Sequence, residues 1–480
     1  MVSRFRPSPA SPSLFRAPAF LFWLALGLRV ATIAVGRTYH VRTITDHFGF
    51  GWEMGRIARS LYLGQGFANP FNGISGPTTW CPPLYPLLMA AAFKLFGLYT
   101  NAAAFFLLTL NSVFSALVCP ALYEMGARCF DAYGIARRTS KRPAPVALWA
   151  AWIWAAYPAF LQYAVHWLWE MSLTVCLFTW MLVFALRLRR IGENTHPQDW
   201  PTSPQSAGDA QAGTRQSRLQ WFAYGALWGL IALSNASLLL CLPCFMAWVL
   251  WPSLRSAWRA RRAAAWPGRA ASLLTGPLLA MLVFCAVMSP WWIRNERVFH
   301  TFIATRGEFG IELYQSQLPS HDSYPWGTSL PLFRGAPAFL EYKQRGEVAY
   351  AHLLGERGKA MVREHPGHFL HRCVDLFFFF WDGTPHPAAG HRVAEWLRNV
   401  NYALIGVCGL LGLALALKRR IPAAGLWLWL VMVMPLPYYV ITSGARFRHP
   451  MEPVLVLLGV FLFRSADTTR TWSRRKGSAA

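Results

Sequence analysis

Long hydrophobic runs separated by short polar stretches are the dominant pattern of this sequence. Runs of about 20 residues recur, each long enough at about 1.5 Å per residue to cross about 30 Å of hydrocarbon as a helix. They occupy residues 18–36, 102–123, 144–165, 168–186, 270–291, 398–417 and 423–442. The short alternating strands of a membrane barrel would not give such runs. The pattern therefore predicts an all-α polytopic membrane protein.

Three further apolar stretches need individual interpretation. Residues 84–99 are short and carry Lys94, so we interpret them as a re-entrant or juxtamembrane helix that protein must cover. Residues 219–251 are too long for one helix between basic loops, and Ser234 and Asn235 interrupt them, which predicts two short helices that meet near the outer leaflet. With a last span at 451–464, we predict about ten transmembrane helices, juxtamembrane helices and a mostly helical outer segment.

The composition agrees with a membrane protein. Of 480 residues, 55% are hydrophobic and only 14% are charged, a balance that a water-soluble core would not need. The net charge of +25 would suit nucleic-acid binding, but the basic residues are concentrated between the hydrophobic runs. These basic clusters lie at residues 128–142, 187–218, 255–269, 418–420 and 464–476. Because short cytoplasmic loops collect Lys and Arg, the charge indicates topology and no nucleic-acid partner.

The segment 291–396 is the exception to this basic bias. It contains eleven Lys or Arg residues and eleven acidic residues, so its formal charge is zero. We therefore assign it to the outer side of the membrane, opposite the basic loops. The same reasoning places the loop 37–80 outside and both termini in the cytoplasm. We interpret the first run as an uncleaved anchor, because no small-residue cleavage signature follows it.

These assignments divide the chain into five parts. They are a cytoplasmic N-terminus (1–17), an N-terminal transmembrane module (18–290), an outer segment (291–396), C-terminal transmembrane helices (397–464) and a basic cytoplasmic tail (465–480). The first module includes the outer loop 37–80 and a linker, 190–218, whose Ser, Pro, Gly and Gln predict a disordered cytoplasmic segment.

The first outer loop carries the strongest candidates for chemistry. Its carboxylates are Asp46 and Glu53, and residues 48–67 have the spacing of an amphipathic helix able to lie on a membrane. Two glycines, Gly49 and Gly51, precede Glu53 and would let a substrate approach closely. An ordinary solvated helix acid would also explain Glu53, and Asp46 is a competing candidate.

Outer-side cations and a further acid extend this candidate site. Arg446, Arg448 and His449 cluster outside, against the basic-inside trend, and Arg294 follows a Pro-Trp-Trp motif. The planar fork of Arg can bind two phosphate oxygens, although snorkelling at the membrane interface would also explain these positions. Glu170 lies on a predicted outer turn, on the same side of the membrane.

Several short motifs occur in order along most of the chain. They are an acid in the first outer loop, Ile-Ala-Arg at 57–59, Gly-Gln-Gly at 64–66, Pro-Pro-Leu-Tyr-Pro at 82–86, Ser-Pro-Trp at 289–291 and Arg-Phe-Arg-His-Pro at 446–450. In these motifs the chain resembles the glycosyltransferase C superfamily, specifically the branch around the protein O-mannosyltransferases and the lipid A aminoarabinose transferase.

The resemblance implies transfer of a hexosyl or pentosyl group from a polyprenyl-phosphate donor to an acceptor hydroxyl. The site would face the periplasm or exterior from a multi-pass position in the inner (plasma) membrane. A carboxylate would take the acceptor proton, and arginines would bind the departing phosphate. Many members carry adjacent acids where this chain has Phe50 and Gly51, so the catalytic base is either Glu53 or Asp46.

The same resemblance completes the set of candidates. The substrate-binding candidates are Arg446, Arg448, Arg294, Glu170, Tyr85 and His449. Members of the family differ over metals, so a divalent metal stays open and no ligand set is assigned. The expected partners are the lipid-linked donor, membrane lipids and an acceptor that is a lipid, glycan or protein. The alternative function is a transporter or flippase for an amphiphilic lipid-linked substrate, which would also need outer arginines and aromatic residues.

Overall fold

The computed structural model describes residues 17–42, 46–47, 49–131, 146–192, 207–261, 267–319, 331, 333–383 and 392–477. These residues form helices joined by turns, with one isolated bridge between Ala68 and Pro77. The α-helices are α1 (Pro18–Gly36), α2 (Trp52–Tyr62), α3 (Leu84–Phe96), α4 (Asn101–Gly126), α5 (Val146–Ala156), α6 (Pro158–Val165), α7 (Met171–Leu188), α8 (Ala207–Ala232), α9 (Leu242–Arg261), α10 (Pro267–Phe299), α11 (Phe309–Gln317), α12 (Pro337–Arg345), α13 (Glu347–Glu364), α14 (Pro366–Trp381), α15 (Arg392–Lys418), α16 (Ala424–Val433), α17 (Leu436–Val440) and α18 (Glu452–Gly477). Shorter 3₁₀ helices lie at Ala236–Cys241 and Ala445–Met451, and a π-helix lies at Ala127–Asp131.

Five of the described helical stretches are long and apolar enough to cross a membrane. They are Pro18–Gly36, Asn101–Phe130, Met171–Leu188, Leu274–Phe299 and Asn399–Lys418. Shorter apolar helices lie at Leu84–Phe96, Val146–Ala156, Ala236–Pro252 and Ala424–Val440. The prediction of an all-α polytopic membrane protein is confirmed. The 13 residues of α3 extend about 20 Å, which agrees with the prediction that this helix does not cross the membrane.

The helix α4 is central among the membrane helices, where it packs against α1, α5 and α7. Its first turn is capped by Thr100, whose hydroxyl accepts a hydrogen bond from the Ala103 N–H at 3.1 Å, an N-cap worth about 1 kcal/mol. Buried side chains form two clusters, one within the membrane helices and one where α2 and α3 meet the outer segment. The second cluster supports the walls of the cavity described below.

The hydrophobic run 144–165, predicted as one span, is broken between α5 and α6. Pro158 has no N–H, so the carbonyl of Trp154 lacks a helical donor one turn ahead. The guanidinium of Arg29, on α1, reaches this break. Its Nη2 donates to the Trp154 carbonyl at 3.1 Å and its Nη1 to the Ala155 carbonyl at 3.0 Å. Arg29 therefore satisfies backbone groups that the proline and the helix end leave without helical partners.

Replacing Arg29 with Leu should lower the free energy of unfolding by about 2–6 kcal/mol, because two buried carbonyls lose their donors at about 1–3 kcal/mol each. Unfolding in mixed micelles, followed by tryptophan fluorescence, measures the change. Pro158→Ala in the Arg29→Leu background should recover part of the loss, because the restored N–H can donate to the Trp154 carbonyl. Strictly additive effects of the two substitutions would contradict this account.

The run 219–251 is interrupted, as predicted. After α8 ends, the side chain of Asn235 accepts a hydrogen bond from the Ser237 N–H at 3.2 Å and starts the 3₁₀ helix. Asn and Ser favour such local bonds, which compete with a continuous helix. Within the segment 190–218, predicted as a disordered linker, α8 is helical from Ala207 onward, and this stretch contains Ala, Gln and Arg, which are good helix formers. Residues 193–206 lie outside the described residues.

The apolar face of the helix α2 is covered by protein. Its apolar residues Met54, Ile57 and Ala58 are buried, and the helix packs against α3. The apolar side chains of the amphipathic pattern are therefore used for packing within the protein.

In the outer segment, α11 packs closely on α13. Gly310 lies against the backbone of Ala351, where a Cβ would come 2.3 Å from the carbonyl oxygen.

Candidate active site

A cavity of about 160 Å³ lies where the first outer loop, the outer segment and the ends of several membrane helices meet. Its walls come from α2, the loop before α3, the turn before α7, the α8–α9 break, α11 and the 3₁₀ helix Ala445–Met451. The acidic and basic lining residues are Glu53, Glu170, Arg306, Glu308, Glu312, Arg446 and His449. The fold therefore brings acids from the first half of the chain to cations near its end.

The start of α2 brings Glu53 to the cavity. Gly51, just before the helix, has a φ of +84°, a left-handed conformation that favours glycine. A Cβ at Gly51 would come 2.7 Å from the Leu168 carbonyl oxygen, so only glycine lets the loop approach the turn that carries Glu170. The sequence analysis interpreted this glycine as room for a substrate to approach. In the structure the backbone of Leu168 makes that close approach to Gly51.

Glu170 lies immediately before α7 and lines the same cavity. Its Oε2 atom is buried and makes no hydrogen bond to the described part of the chain. Burial raises the pKa of Glu170 from 4.5 to about 7, although Arg446 and Arg306 act in the opposite direction. Burial also raises the pKa of Glu53, opposed by Arg56 and by the same two cavity arginines. Both carboxylates are therefore stronger bases than they would be in water.

The 3₁₀ helix Ala445–Met451 determines which basic side chains face the cavity. With about three residues per turn, side chains at positions i and i+3 lie on one face. Arg446 and His449 have this spacing, and both line the cavity. The guanidinium carbon of Arg446 lies 5.2 Å from the ring centroid of Trp169 and 4.7 Å from that of Phe447, within the range of cation–π attraction.

Arg448, grouped with Arg446 as a phosphate ligand in the sequence analysis, lies on another face of this helix and is not among the cavity-lining residues. Its Nε donates to Glu452 Oε1 at 2.6 Å, and its Nη atoms donate to the carbonyls of Trp381 at 2.6 Å and Tyr402 at 2.9 Å. The Arg448 side chain is 0% exposed. The guanidinium of Arg448 therefore links the 3₁₀ helix to α14 and α15 by hydrogen bonds and is not available to a phosphate.

Arg294 and Tyr85, also predicted to bind substrate, lie outside the cavity lining. Arg294 donates to the carbonyls of Phe67 at 2.7 Å and Thr78 at 2.9 Å, which anchors α10 to the first outer loop. The hydroxyl of Tyr85 accepts a hydrogen bond from Asn111 Nδ2 at 2.8 Å within the helical core. The guanidinium of Arg294 is therefore paired with backbone carbonyls, and the Tyr85 hydroxyl with a buried amide. The sequence pattern could not locate these partners.

Asp46, the second candidate base, is engaged in an ion pair on the first outer loop. Both of its carboxylate oxygens accept from Arg59 Nη1 at 2.9 Å, and its Oδ2 lies 4.0 Å from Arg56 Nε. Asp46 does not line the cavity, whereas Glu53 does. Of the two acids that the sequence left as alternatives, Glu53 therefore lies on the cavity and Asp46 does not.

The outer segment supplies cavity residues in addition to the catalytic and substrate-binding candidates named from the sequence. Arg306, Glu308, Glu312 and Gln315 line the cavity. Arg306 Nε donates to the Trp80 carbonyl at 2.9 Å, while its Nη2 contacts Glu308 and lies 3.6 Å from Glu312. The four-residue spacing of the two acids was visible in the sequence, but many charged residues in this segment share such spacings. Only their position in the fold distinguishes them.

Glu347, on α13, fastens the outer segment to the first outer loop. It accepts hydrogen bonds from Thr79 Oγ1 at 2.6 Å and Tyr342 Oη at 2.7 Å, and also from the Thr78 hydroxyl and the Thr79 N–H. Bonds to a charged acceptor are stronger than those between neutral groups. The next residue, Trp80, lines the cavity, so a carboxylate outside the cavity holds one of its walls in place.

The cavity offers no convergent ligand set for a metal. Within the described ranges, no three His, Cys, Asp or Glu side chains are grouped so that they could hold an ion. Two of the four lining carboxylates are instead close to Arg306. The divalent metal that the sequence left open therefore has no ligands assigned among the described residues.

Comparison with known proteins identifies relatives by structure. No family model and no curated protein matches the sequence. The archaeal oligosaccharyltransferase AglB from Archaeoglobus fulgidus, solved with an inhibitory peptide and a dolichol-phosphate, matches with a TM-score of 0.52 and 13% identity over 96% of this chain. The chain spans about half, 52%, of that protein. ArnT from Cupriavidus metallidurans bound to undecaprenyl phosphate matches with a TM-score of 0.35 and 14% identity, over 93% of this chain and 77% of that one, which is too distant to support an inference.

The structural similarity to AglB covers 96% of this chain, and at 13% identity it shows a similar fold and no more. It covers the membrane helices together with the outer segment that closes the cavity. The polytopic fold that the sequence motifs implied agrees with the fold of the structure. The chain therefore shares the polytopic fold of this archaeal oligosaccharyltransferase over nearly its whole length.

Proposed function

We propose that this protein is an integral-membrane glycosyltransferase that moves a sugar from a polyprenyl-phosphate donor to an acceptor hydroxyl. The observation that carries the proposal is the convergence of Glu53 and Arg446 on one cavity, although they lie near opposite ends of the chain. A carboxylate can accept the proton of the acceptor, and a guanidinium can bind the phosphate of the donor. This reaction needs both groups in one place.

In the proposed reaction, the acceptor oxygen attacks the anomeric carbon of the sugar. The bond between that carbon and the phosphate oxygen breaks, and its electron pair leaves with the polyprenyl phosphate. Glu53 takes the acceptor proton and becomes neutral as the phosphate gains a negative charge. General-base help of this kind is typically worth about 10² to 10⁴ in rate.

Arg446 and Arg306 are the cations that we assign to the donor phosphate. Both line the cavity, and both oppose the pKa rise of Glu53 and Glu170 that burial causes, which indicates that their charges act within the cavity. Fixed cations in a site shielded from water stabilise developing negative charge more strongly than water does. Glu170 is assigned to the acceptor, as a hydrogen-bond acceptor for its hydroxyl groups.

We also propose that the cavity opens to the outer side of the plasma membrane. Glu170 lies at the start of α7, and Arg187 lies in its last turn, about 27 Å away along the 18 residues of the helix. At that far end, Arg187 and Arg128 donate to Glu124 at 2.7 and 2.8 Å. Because basic residues favour the cytoplasmic side, the far end of α7 is assigned to the cytoplasm and the cavity to the opposite side.

The likeness to AglB supports a lipid-phosphate donor, because that oligosaccharyltransferase was solved with a dolichol-phosphate. The inhibitory peptide in the same structure is not transferred to this chain, which spans about half of that protein. The donor sugar and the acceptor therefore need direct assay.

Turnover by purified protein in lipid nanodiscs tests the proposed function. The assay supplies polyprenyl phosphates that carry different hexoses and pentoses, together with lipid, glycan and peptide acceptors. We expect one donor to release polyprenyl phosphate and to transfer its sugar when a suitable acceptor is present. In vesicles, movement of the intact donor between leaflets without cleavage of its sugar would instead support the flippase alternative.

Sugar transfer should increase with pH between about pH 6 and 8. Because the pKa of Glu170 is raised to about 7, this group is largely protonated below that pH and ionised above it, and only the ionised form accepts hydrogen bonds with both oxygens. Glu53 must also be ionised to act as a base. Initial rates at saturating donor measure this dependence. In Glu170→Gln only the ionisation of Glu53 remains, so the rising limb should change its position or shape, and an unchanged limb would contradict the assignment of Glu170.

A further inference from the structure

His449 is a buried polar side chain on the cavity that lacks protein partners. It is 1% exposed and lines the cavity, yet neither Nδ1 nor Nε2 makes a hydrogen bond to the described residues. Buried polar atoms in folded proteins are nearly always paired, so an imidazole with two unpaired nitrogens requires an explanation. Its position at the cavity wall indicates that the partner is whatever fills the cavity.

The residues that surround the His449 ring cannot supply the missing bonds. The ring lies 5.5 Å from that of Trp154 with an angle of 23° between their planes, and 4.5 Å from that of Tyr163. Trp154 Nε1 already donates to the Ser115 carbonyl at 2.8 Å. The Tyr163 hydroxyl is paired with the Tyr402 hydroxyl at 2.8 Å. These neighbours hold the imidazole plane without using its nitrogens.

The imidazole is neutral, which sets the chemistry it can recognise. Burial lowers the pKa of His449 to about 3, and the positive charge of Arg29 adds to this effect. A neutral imidazole has one nitrogen that donates and one that accepts. It therefore suits a hydroxyl group, which can accept and donate, and it adds no charge for binding a phosphate.

His449 and Arg446 lie on one face of the same 3₁₀ helix. They are one turn apart, which corresponds to about 6 Å along the axis. If Arg446 holds the donor phosphate, one of the two groups bonded to that phosphate lies beside His449. Of the polyprenyl chain and the transferred sugar, only the sugar carries hydroxyl groups that can pair with the imidazole.

We propose that His449 hydrogen-bonds a hydroxyl of the transferred sugar and thereby helps to select the donor. This inference rests on the proposed function and adds a sugar subsite to it. A site built to pair a hydroxyl rejects an analogue that lacks it, because the buried polar atoms of the site are then left unpaired.

Binding of two kinds of lipid to the purified protein tests the sugar subsite. The probes are undecaprenyl phosphate alone and the same lipid carrying mannose, glucose, galactose or xylose. His449→Phe should bind undecaprenyl phosphate within about twofold of the wild-type affinity but bind the preferred sugar lipid about 10-fold or more weakly. Arg446→Gln, the matched control on the same helix face, should weaken the binding of both kinds of lipid. His449→Gln, which keeps a donor and an acceptor, should recover part of the loss.

Deoxy derivatives of the preferred sugar lipid, each lacking one hydroxyl, complete the test. The wild type should bind one of them about 10-fold more weakly than the parent lipid, whereas His449→Phe should not distinguish the two. A His449→Phe variant that loses both kinds of lipid equally, or neither, would overturn the subsite and leave the proposed function intact. A wild-type protein that binds sugar lipids no better than sugar-free lipid and transfers no sugar would overturn the proposed function and the subsite together.

Discussion

Glu53→Gln should reduce sugar transfer by about 10² to 10⁴-fold, because the amide cannot take the acceptor proton. The donor should still bind, since the arginines assigned to its phosphate are unchanged and the amide is close in shape to the carboxylate. Single-turnover rates together with donor affinity separate these two effects. Removing one charge from the cavity should, if anything, strengthen binding of the negatively charged donor.

Asp46→Asn is the matched control for the catalytic base, because it removes a second carboxylate from the same loop. Asp46 pairs with Arg59 on the partly exposed surface of the loop and does not line the cavity. Its replacement should lower stability by only about 0.2–1 kcal/mol and change turnover by less than about threefold. A large loss of turnover in Asp46→Asn with an active Glu53→Gln would reverse the assignment of the base.

Arg448→Met should lower the free energy of unfolding by about 3–5 kcal/mol, because it leaves Glu452 buried without its partner. The carbonyls of Trp381 and Tyr402 lose their donors as well, which loosens the contact of the 3₁₀ helix with α14 and α15. Chemical unfolding in mixed micelles measures the change. The companion variant Arg446→Met, two residues away, should retain stability within about 1 kcal/mol but lose donor binding.

Removing both members of the buried pair checks the physical reason for this difference. Arg448→Met combined with Glu452→Leu should be less destabilised than Arg448→Met alone, since no unpaired charge remains. If Arg448→Met were as stable as the wild type and lost only donor binding, Arg448 would belong with the phosphate ligands. Similar stability losses in Arg446→Met and Arg448→Met would contradict the division of roles that the 3₁₀ helix produces.

The motif at 446–450 shows how far sequence reasoning reaches within the site. The clustering of basic residues, against the predicted basic-inside trend, singled out this segment, and two of its residues, Arg446 and His449, line the cavity. The sequence could not say that the segment is a 3₁₀ helix, in which Arg446 and His449 share a face while Arg448 is turned away. The same sequence in another backbone conformation would present a different pair of side chains.

Arg294 and Arg306 show that the sequence could not tell which arginine of the outer segment reaches the cavity. Both are arginines of the outer segment near aromatic residues, and the sequence favoured Arg294 because it follows the Pro-Trp-Trp motif at 290–292. In the structure, Arg294 is bound to two carbonyls of the first outer loop, whereas Arg306 lines the cavity. Whether a guanidinium is available to a ligand depends on which backbone carbonyls lie within its reach, and these come from residues more than two hundred positions away.

The sequence by itself determined the class of the protein, because the length of the apolar runs and the interruption at Asn235 act on the backbone locally. The charge of each loop also predicts which loops lie on the cytoplasmic side, and this assignment stays a prediction. Only the tertiary structure decided which acids and cations share a cavity. That choice depends on contacts between distant segments, such as Gly51 against Leu168 and Glu347 against Thr79, whose geometry no local pattern encodes.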